Sequence, residues 1–336
     1  MSEDQSIDPV PRHRILKIVG IVAAGLLVVA GVGVTAVAAS TAANAQHPMS
    51  STESTANTPM SGTADTAGFP TGGDNPGIFT DTCKLALTAP NDPILMPGMT
   101  GESMQHDFFG ALAPTSNSTP AQLVGSGTNC STSADSSAYW TPVLFQDGKP
   151  MQPKATLIYW RAPSTSAAAV KTMPAGITMI AGNEGATLPQ NARVIGWTCS
   201  GNDKMKLQSA PADCAAGSDL RFVATFPNCW DGHTLDGSTQ QNVVYADAQG
   251  QCPTSHPVQV PQVVVHVNYP TSIAAGLTLS IGPTQQGSIV TGHADFMSGW
   301  NQQIMDRNVA ACIATQTRCG PVTGAAAMPQ GGKDRA

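Results

Sequence analysis

The stretch "PQVVVHVNY", Pro261 to Tyr269, sets four valines in an eight-residue run closed by prolines at 261 and 270. Side chains branched at Cβ favour extended backbone. The two-residue period then puts Val263, Val265, Val267 and Tyr269 on one face and Val264, His266 and Asn268 on the other. Six more runs read as short strands: "ATLIYW" (155–160), "GITMIAG" (176–182), "ARVIGWTC" (192–199), "LRFVATF" (220–226), "NVVYA" (242–246) and "LTLSIG" (277–282). Gly, Pro, Asn and Asp bound them, as expected of a mainly β domain built as a sandwich or a barrel-like sheet. One short helix is expected near its C-terminal end, opened by Ser298 as cap. Its apolar stripe is Met305, Val309, Cys312 and Ile313.

Toward the N terminus the character of the chain changes. Residues 18–39 carry no charge, Arg12, Arg14 and Lys17 precede them, and the next Lys or Arg is Lys84. A run of that length can span a bilayer as a helix, and the positive flank stays in the cytoplasm. Ala43-Asn44-Ala45 also offers a small-residue cleavage site. Residues 18–39 are therefore expected to be a transmembrane anchor or a signal segment, with 1–17 cytoplasmic and the rest exported. Residues 40–80 are mostly Ser, Thr, Ala, Gly and Pro, too poor in bulky apolar side chains to form a core, and are expected to be a flexible linker. The tail 320–336 reads the same way, which leaves 81–319 as the globular domain.

All eight cysteines fall in that domain, and none are spaced as CxxC. An even number in an exported chain points to disulfides rather than to a zinc ribbon. Short separations suggest Cys199–Cys214, Cys229–Cys252 and Cys312–Cys319, which leaves Cys83 with Cys130.

Seven motifs stand in order: "NDPILMPG" (91–98), "HDFFG" (106–110), "SAYWTPVL" (137–144), "MPAGITMIAGN" (173–183), "FPNCWDG" (226–232), "CPTSHPVQVPQ" (252–262) and "GHADFMSGW" (292–300). Together they resemble DUF1996, a family of exported fungal and bacterial proteins of unknown function. The resemblance covers nearly all of residues 83–312 and implies export without implying a reaction. Where the family pattern often reads "SHMHDFFG", this chain has "SMQHDFFG", so Met104 replaces a first histidine and the segment offers His106 alone.

The candidate chemistry lies in these motifs. His106-Asp107 and His293-Ala294-Asp295 each join an imidazole, a carboxylate and a phenylalanine in a chain of which only 11% is charged. An unpaired buried carboxylate is unfavourable, so the two segments are expected to meet and share one cleft, approached by Asp231 and His256. Asp107, Asp231 and Asp295 would supply acid and base or nucleophile, with His106, His293 and His256 beside them. Trp230, Trp300, Trp140 and Phe108 would hold a sugar ring. The same residues also suit turn aspartates and core aromatics.

No nucleophile elbow, HExxH, Walker loop or dinucleotide fingerprint is present. An acidic chain with 16 Lys plus Arg has no basic stripe for nucleic acid. The domain holds only two glutamates, Glu102 and Glu184. The leading expectation is an exported carbohydrate-active hydrolase of envelope or environmental polysaccharide, with no cofactor and no metal ligands assigned. A noncatalytic glycan-binding module is the alternative. Metal-assisted hydrolysis through His106, His256, His293 and the aspartates is a third.

Overall fold

The computed structural model describes residues 77–162, 169–201 and 206–321. The expected cytoplasmic segment and the expected span at 18–39 lie outside the described residues, among which no helix is long and apolar enough to cross a membrane.

In chain order the first strands are β1 (Ile78–Cys83), β2 (Leu85–Ala89), β3 (His106–Gly110), β4 (Ala138–Pro142), β5 (Leu144–Gln146) and β6 (Lys149–Pro150). There follow β7 (Ala155–Arg161), β8 (Thr178–Gly182), β9 (Ile195–Cys199), β10 (Leu220–Thr225), β11 (Cys229–Trp230) and β12 (Val243–Val244). The last are β13 (Val258–Gln259), β14 (Gln262–Tyr269), β15 (Leu277–Ser280), β16 (Gln286–Gly287), β17 (His293–Met297) and β18 (Arg318–Pro321). Two short helices join them, α1 (Pro120–Leu123) and α2 (Gln302–Asn308).

A six-stranded sheet runs β18-β1-β7-β14-β10-β9 and a five-stranded sheet runs β2-β3-β4-β17-β8. The valine face of β14 points into the core between them, as its alternation requires. There Val263, Val265, Val267 and Tyr269 share one cluster with Phe79, Trp160 and Phe222 of the same sheet and with Phe109, Tyr139, Met179 and Phe296 of the five-stranded sheet. Trp160 stands edge-on to Phe296 with ring centroids 5.6 Å apart, which marks the join between the layers. On the far face of the five-stranded sheet Ile94, Phe108, Leu123, Trp140, Ile180 and Met297 form a second, smaller core. Two minor sheets, β16-β15-β5-β6 and β12-β11-β13, complete the β structure.

All seven runs read as strands contain one. Two boundaries move, because the domain starts before 81 and ends after 319. Ile78 and Phe79 belong to β1, where Phe79 stacks on Trp160 at 5.8 Å instead of continuing a linker. Cys319 lies inside β18, which pairs in parallel with β1. The helix opens later than expected. Asn301 caps it by accepting the Ile304 N–H, while the Ser298 N–H still bonds to the Ile177 carbonyl as an extension of β17. Met305, Val309, Cys312 and Ile313 are buried as the stripe predicts, the last three in a π-type turn continuing α2.

The four disulfides are Cys83–Cys130, Cys199–Cys214, Cys229–Cys252 and Cys312–Cys319, as their separations suggested. They are consistent with an extracytoplasmic protein.

Candidate functional site

In the five-stranded sheet β4 lies between β3 and β17, antiparallel to both. Paired residues of neighbouring strands point to the same face. Phe108 pairs with Trp140, Trp140 with Asp295, and Asp295 with Ile180. The Asp295 carboxylate therefore stands in a row of apolar side chains, fully buried, and neither of its oxygens meets a hydrogen-bond donor. One step along the same face His106 pairs with Pro142 and His293 with Gly182, so small neighbours leave room for the two imidazoles to converge. Gly182 adopts φ +90°, and a Cβ there would lie 2.8 Å from the Gly292 carbonyl oxygen. That approach draws β8 tightly against the start of β17.

Both imidazoles are oriented by backbone. His106 Nδ1 lies 3.0 Å from the Asn91 carbonyl oxygen and His293 Nδ1 lies 2.9 Å from that of Thr291. A carbonyl only accepts, so each Nδ1 carries the proton, and in a neutral ring each Nε2 presents a lone pair. The two Nε2 atoms face each other at 3.3 Å, and His293 Nε2 is 3.6 Å from Asp295 Oδ2. Three acceptors thus point at one another with no proton between them.

A proton does not resolve this. Burial and the neighbouring His293 depress the pKa of His106 to about 3, against a smaller lift from the Asn91 bond. Burial likewise lowers that of His293, although the Thr291 bond and the charge of Asp92 act the other way. Asp295 is pushed well above the carboxylate range, first by burial and then by the charges of Asp92 and Glu184. Protonated Asp295 is still too far from His293 for a good hydrogen bond. A cation would resolve it. For a tetrahedral zinc ion, bonds of roughly 2.0–2.1 Å to nitrogen place two ligand atoms about 3.4 Å apart, close to the separation between the imidazoles. Backbone carbonyls on the far ring nitrogens are the usual support for metal-bound histidine. Among the described residues His106, His293 and Asp295 are one of two clusters whose donor atoms lie within 4.8 Å of one another. The other, Asp81 and Asp135 with Cys83 and Cys130, has its sulfurs tied up in a disulfide.

The family model for DUF1996, a domain of unknown function, matches residues 92–300. The chain belongs to the DUF1996 family. No curated protein and no solved structure matches it.

The remaining candidates of the DUF1996 domain lie elsewhere. Asp107 is buried on the opposite face of β3, toward the core between the sheets, where Thr88 Oγ1 donates to it at 2.6 Å. Strand alternation separates it from His106, so the expected four-residue cleft holds three. Asp231 closes a turn by accepting the N–H groups of His233 and Thr234 at 2.9 and 2.8 Å. Slight burial raises its pKa, but these bonds outweigh that and hold it below the usual range. His256 bonds to Ser255 Oγ and to the Gln241 carbonyl, apart from the other histidines. Trp140, Trp300 and Phe108 are buried in the two cores, and Trp230 is half-buried with its N–H on the Thr234 carbonyl. Trp140, Trp300 and Phe108 pack within the cores and present no exposed ring face.

Two residues were missed. Asp92 is buried beside the Asn91 carbonyl that orients His106, and Glu184 follows Gly182 by two residues. The signals were available: Asp92 is the second residue of the motif "NDPILMPG", and Glu184 is one of two glutamates in the domain.

Proposed function

We propose that this DUF1996 protein is an extracytoplasmic metal-dependent hydrolase, carried out of the cytoplasm by residues 18–39 and held by them at the membrane or cleaved from them. The observation that carries the reading is the convergence of His106 Nε2, His293 Nε2 and the undonated Asp295 carboxylate at one buried point. Two imidazoles and a carboxylate are ordinary zinc ligands, and three protein ligands leave a coordination position for water. An ion so held lowers the pKa of that water and polarises a substrate oxygen.

Two aspartates flanking a glycosidic bond receive less support, because Asp107 and Asp295 project from opposite faces of the sheet. Attack on an acyl carbonyl, such as an acetyl ester on an envelope polysaccharide, suits one metal-activated water better. A purely glycan-binding role loses its basis with Trp140 and Trp300 buried.

Acetate release from acetylated polysaccharide by the full chain, before and after chelation, tests this function. Release that stops with chelator and returns with zinc supports it. Release indifferent to chelator contradicts the metal. Metal binding without hydrolysis of any offered polymer leaves a metalloprotein and removes the hydrolase.

A further inference from the structure

The loop between Cys252 and β13 holds a second set of reactive side chains that shares no residue with the imidazole pair. Pro253-Thr254-Ser255-His256 is a turn closed by the His256 N–H, which donates to the Pro253 carbonyl at 2.9 Å. The Cys229–Cys252 disulfide pins one end of it, and the pairing of β13 with β11 pins the other. His256 Nε2 lies 2.7 Å from the Gln241 carbonyl oxygen, and its Nδ1 lies 2.9 Å from Ser255 Oγ. A carbonyl only accepts, so in the neutral ring Nε2 carries the proton and Nδ1 presents its lone pair. The Ser255 hydroxyl therefore donates to the imidazole.

The carbonyl that orients the ring is itself fixed. Gln241 precedes Asn242, a buried residue whose Nδ2 donates to the carbonyls of Thr178 and Leu235 at 3.0 and 3.3 Å. The Asn242 carbonyl in turn accepts the Asp231 N–H at 3.0 Å. A hydroxyl within hydrogen-bond reach of a base, with the base held by a third group, is the arrangement of an activated serine. Here a backbone carbonyl stands where a carboxylate is more usual, and it fixes the tautomer without adding a charge. Holding the turn against the segment before β12 needs only the Nε2 bond. The Ser255 hydroxyl is aimed at the one remaining lone pair, yet Ser255 is exposed, so a reagent in solvent can reach it. The N–H groups of Thr254 and Ser255, at the corners of the turn, make no hydrogen bond among the described residues and are available to a developing oxyanion.

We propose that Ser255 and His256 form a nucleophile–base pair that cleaves carboxylic esters without a metal, a second activity beside the one proposed above. Ser255 Oγ bonds to the ester carbonyl carbon while its proton passes to His256 Nδ1. The bond from that carbon to the alcohol oxygen then breaks, the alcohol leaves with the proton, and the acyl group stays on Oγ. Water completes the cycle: it gives a proton to Nδ1, its oxygen takes the acyl group as the free acid, and Oγ regains the proton.

The test is labelling of the chelator-treated full chain with a fluorophosphonate, which reacts with activated serines, read by peptide mass spectrometry in wild type, Ser255→Ala and His256→Gln. Glutamine at 256 can still donate to the Gln241 carbonyl but offers no base, and alanine at 255 leaves the backbone bond of the turn in place. Wild type is expected to carry the label on Ser255, and Ser255→Ala to carry none. His256→Gln should keep the wild-type melting temperature and react about a hundredfold more slowly, the scale of losing a general base. Equal rates in wild type and His256→Gln overturn the inference. So does a wild-type chain that takes no label at Ser255 or spreads it over other serines, a result that stands whether or not His256→Gln folds. Acetate release that survives chelator and disappears in Ser255→Ala belongs to this pair, so the metal reading is judged in that variant.

Discussion

Replacing Asp81 with Asn is expected to stabilise the domain at pH 7.5 and to leave it unchanged near pH 4. Asp81 of β1 and Asp135 of the loop before β4 are both fully buried, with carboxylate oxygens within 4.8 Å of each other. Asp81 Oδ1 accepts the Thr82 N–H at 2.7 Å, the Ser131 N–H at 2.9 Å and the Ser131 hydroxyl. Asp135 accepts the Ser137 N–H and the Tyr139 hydroxyl, at 3.0 and 2.8 Å. No donor reaches Asp81 Oδ2. Burial, then the charge of Asp135, raises the pKa of Asp81 from 3.8 to about 7, and burial raises that of Asp135 to about 6. The folded protein therefore retains protons that the unfolded chain releases above about pH 4. Stability from the pair is fully present below that pH and is lost as pH rises toward 7. A shift of roughly three units on Asp81 amounts to about 4 kcal/mol. An amide at position 81 keeps the Oδ1 acceptor and supplies a permanent donor toward Asp135. Urea unfolding at pH 4, 5.5 and 7.5, with disulfides intact, measures the difference between variant and wild type. Asp107, pushed to about 6 by burial, shifts both curves alike, as does His106 in the opposite sense. Parallel pH profiles for the two proteins would refute the shared-proton pair.

Asp107→Asn should leave metal uptake intact and hold or raise stability at pH 7.5, whereas Asp295→Asn should weaken uptake; equal losses in a metal titration would return Asp107 to the site. Trp300→Ala removes a core ring set edge-on to Phe79 and Trp160 and should cost about 3–5 kcal/mol in urea unfolding. A variant of near wild-type stability would mean that this tryptophan serves a ligand. Replacing Cys199 and Cys214 together with Ser opens a loop of sequence separation 15, and the loss expected on urea unfolding is about 3 kcal/mol.

The sequence was most readable where one face of a strand is apolar and the other is not. In β14 the period of two sorts Val263, Val265, Val267 and Tyr269 from Val264, His266 and Asn268, and the sheet puts the first four in the core between the layers. In β3 and β4 all ten positions are buried, so no alternation marks them, and they read as motifs instead of strands. Gly110 belongs to the same blind spot. It has φ +86°, and a Cβ there would lie 2.3 Å from the Ser137 carbonyl oxygen, a constraint that only the paired strands reveal. The disulfides were legible because three pairs close short loops and the fourth follows by exclusion. The site was half legible. Its charge-poor background marked His106, His293 and Asp295, but two adjacent residues on a strand face opposite ways, which removes Asp107. Asp92 and Glu184 stood out in the sequence as a motif residue and one of two glutamates, but only the contacts of Asn91 with His106 and of Gly182 with His293 bring their segments to this end of the sheet.

Native mass spectrometry of the full chain, freed of metal and then offered one equivalent of Zn2+, tests the central claim most directly. Wild type is predicted to hold one ion per chain and the His106→Ala, His293→Ala double variant none, with a rise in melting temperature on zinc addition for wild type alone. A wild-type chain that holds no ion, or a double variant that holds it equally well, would contradict the account.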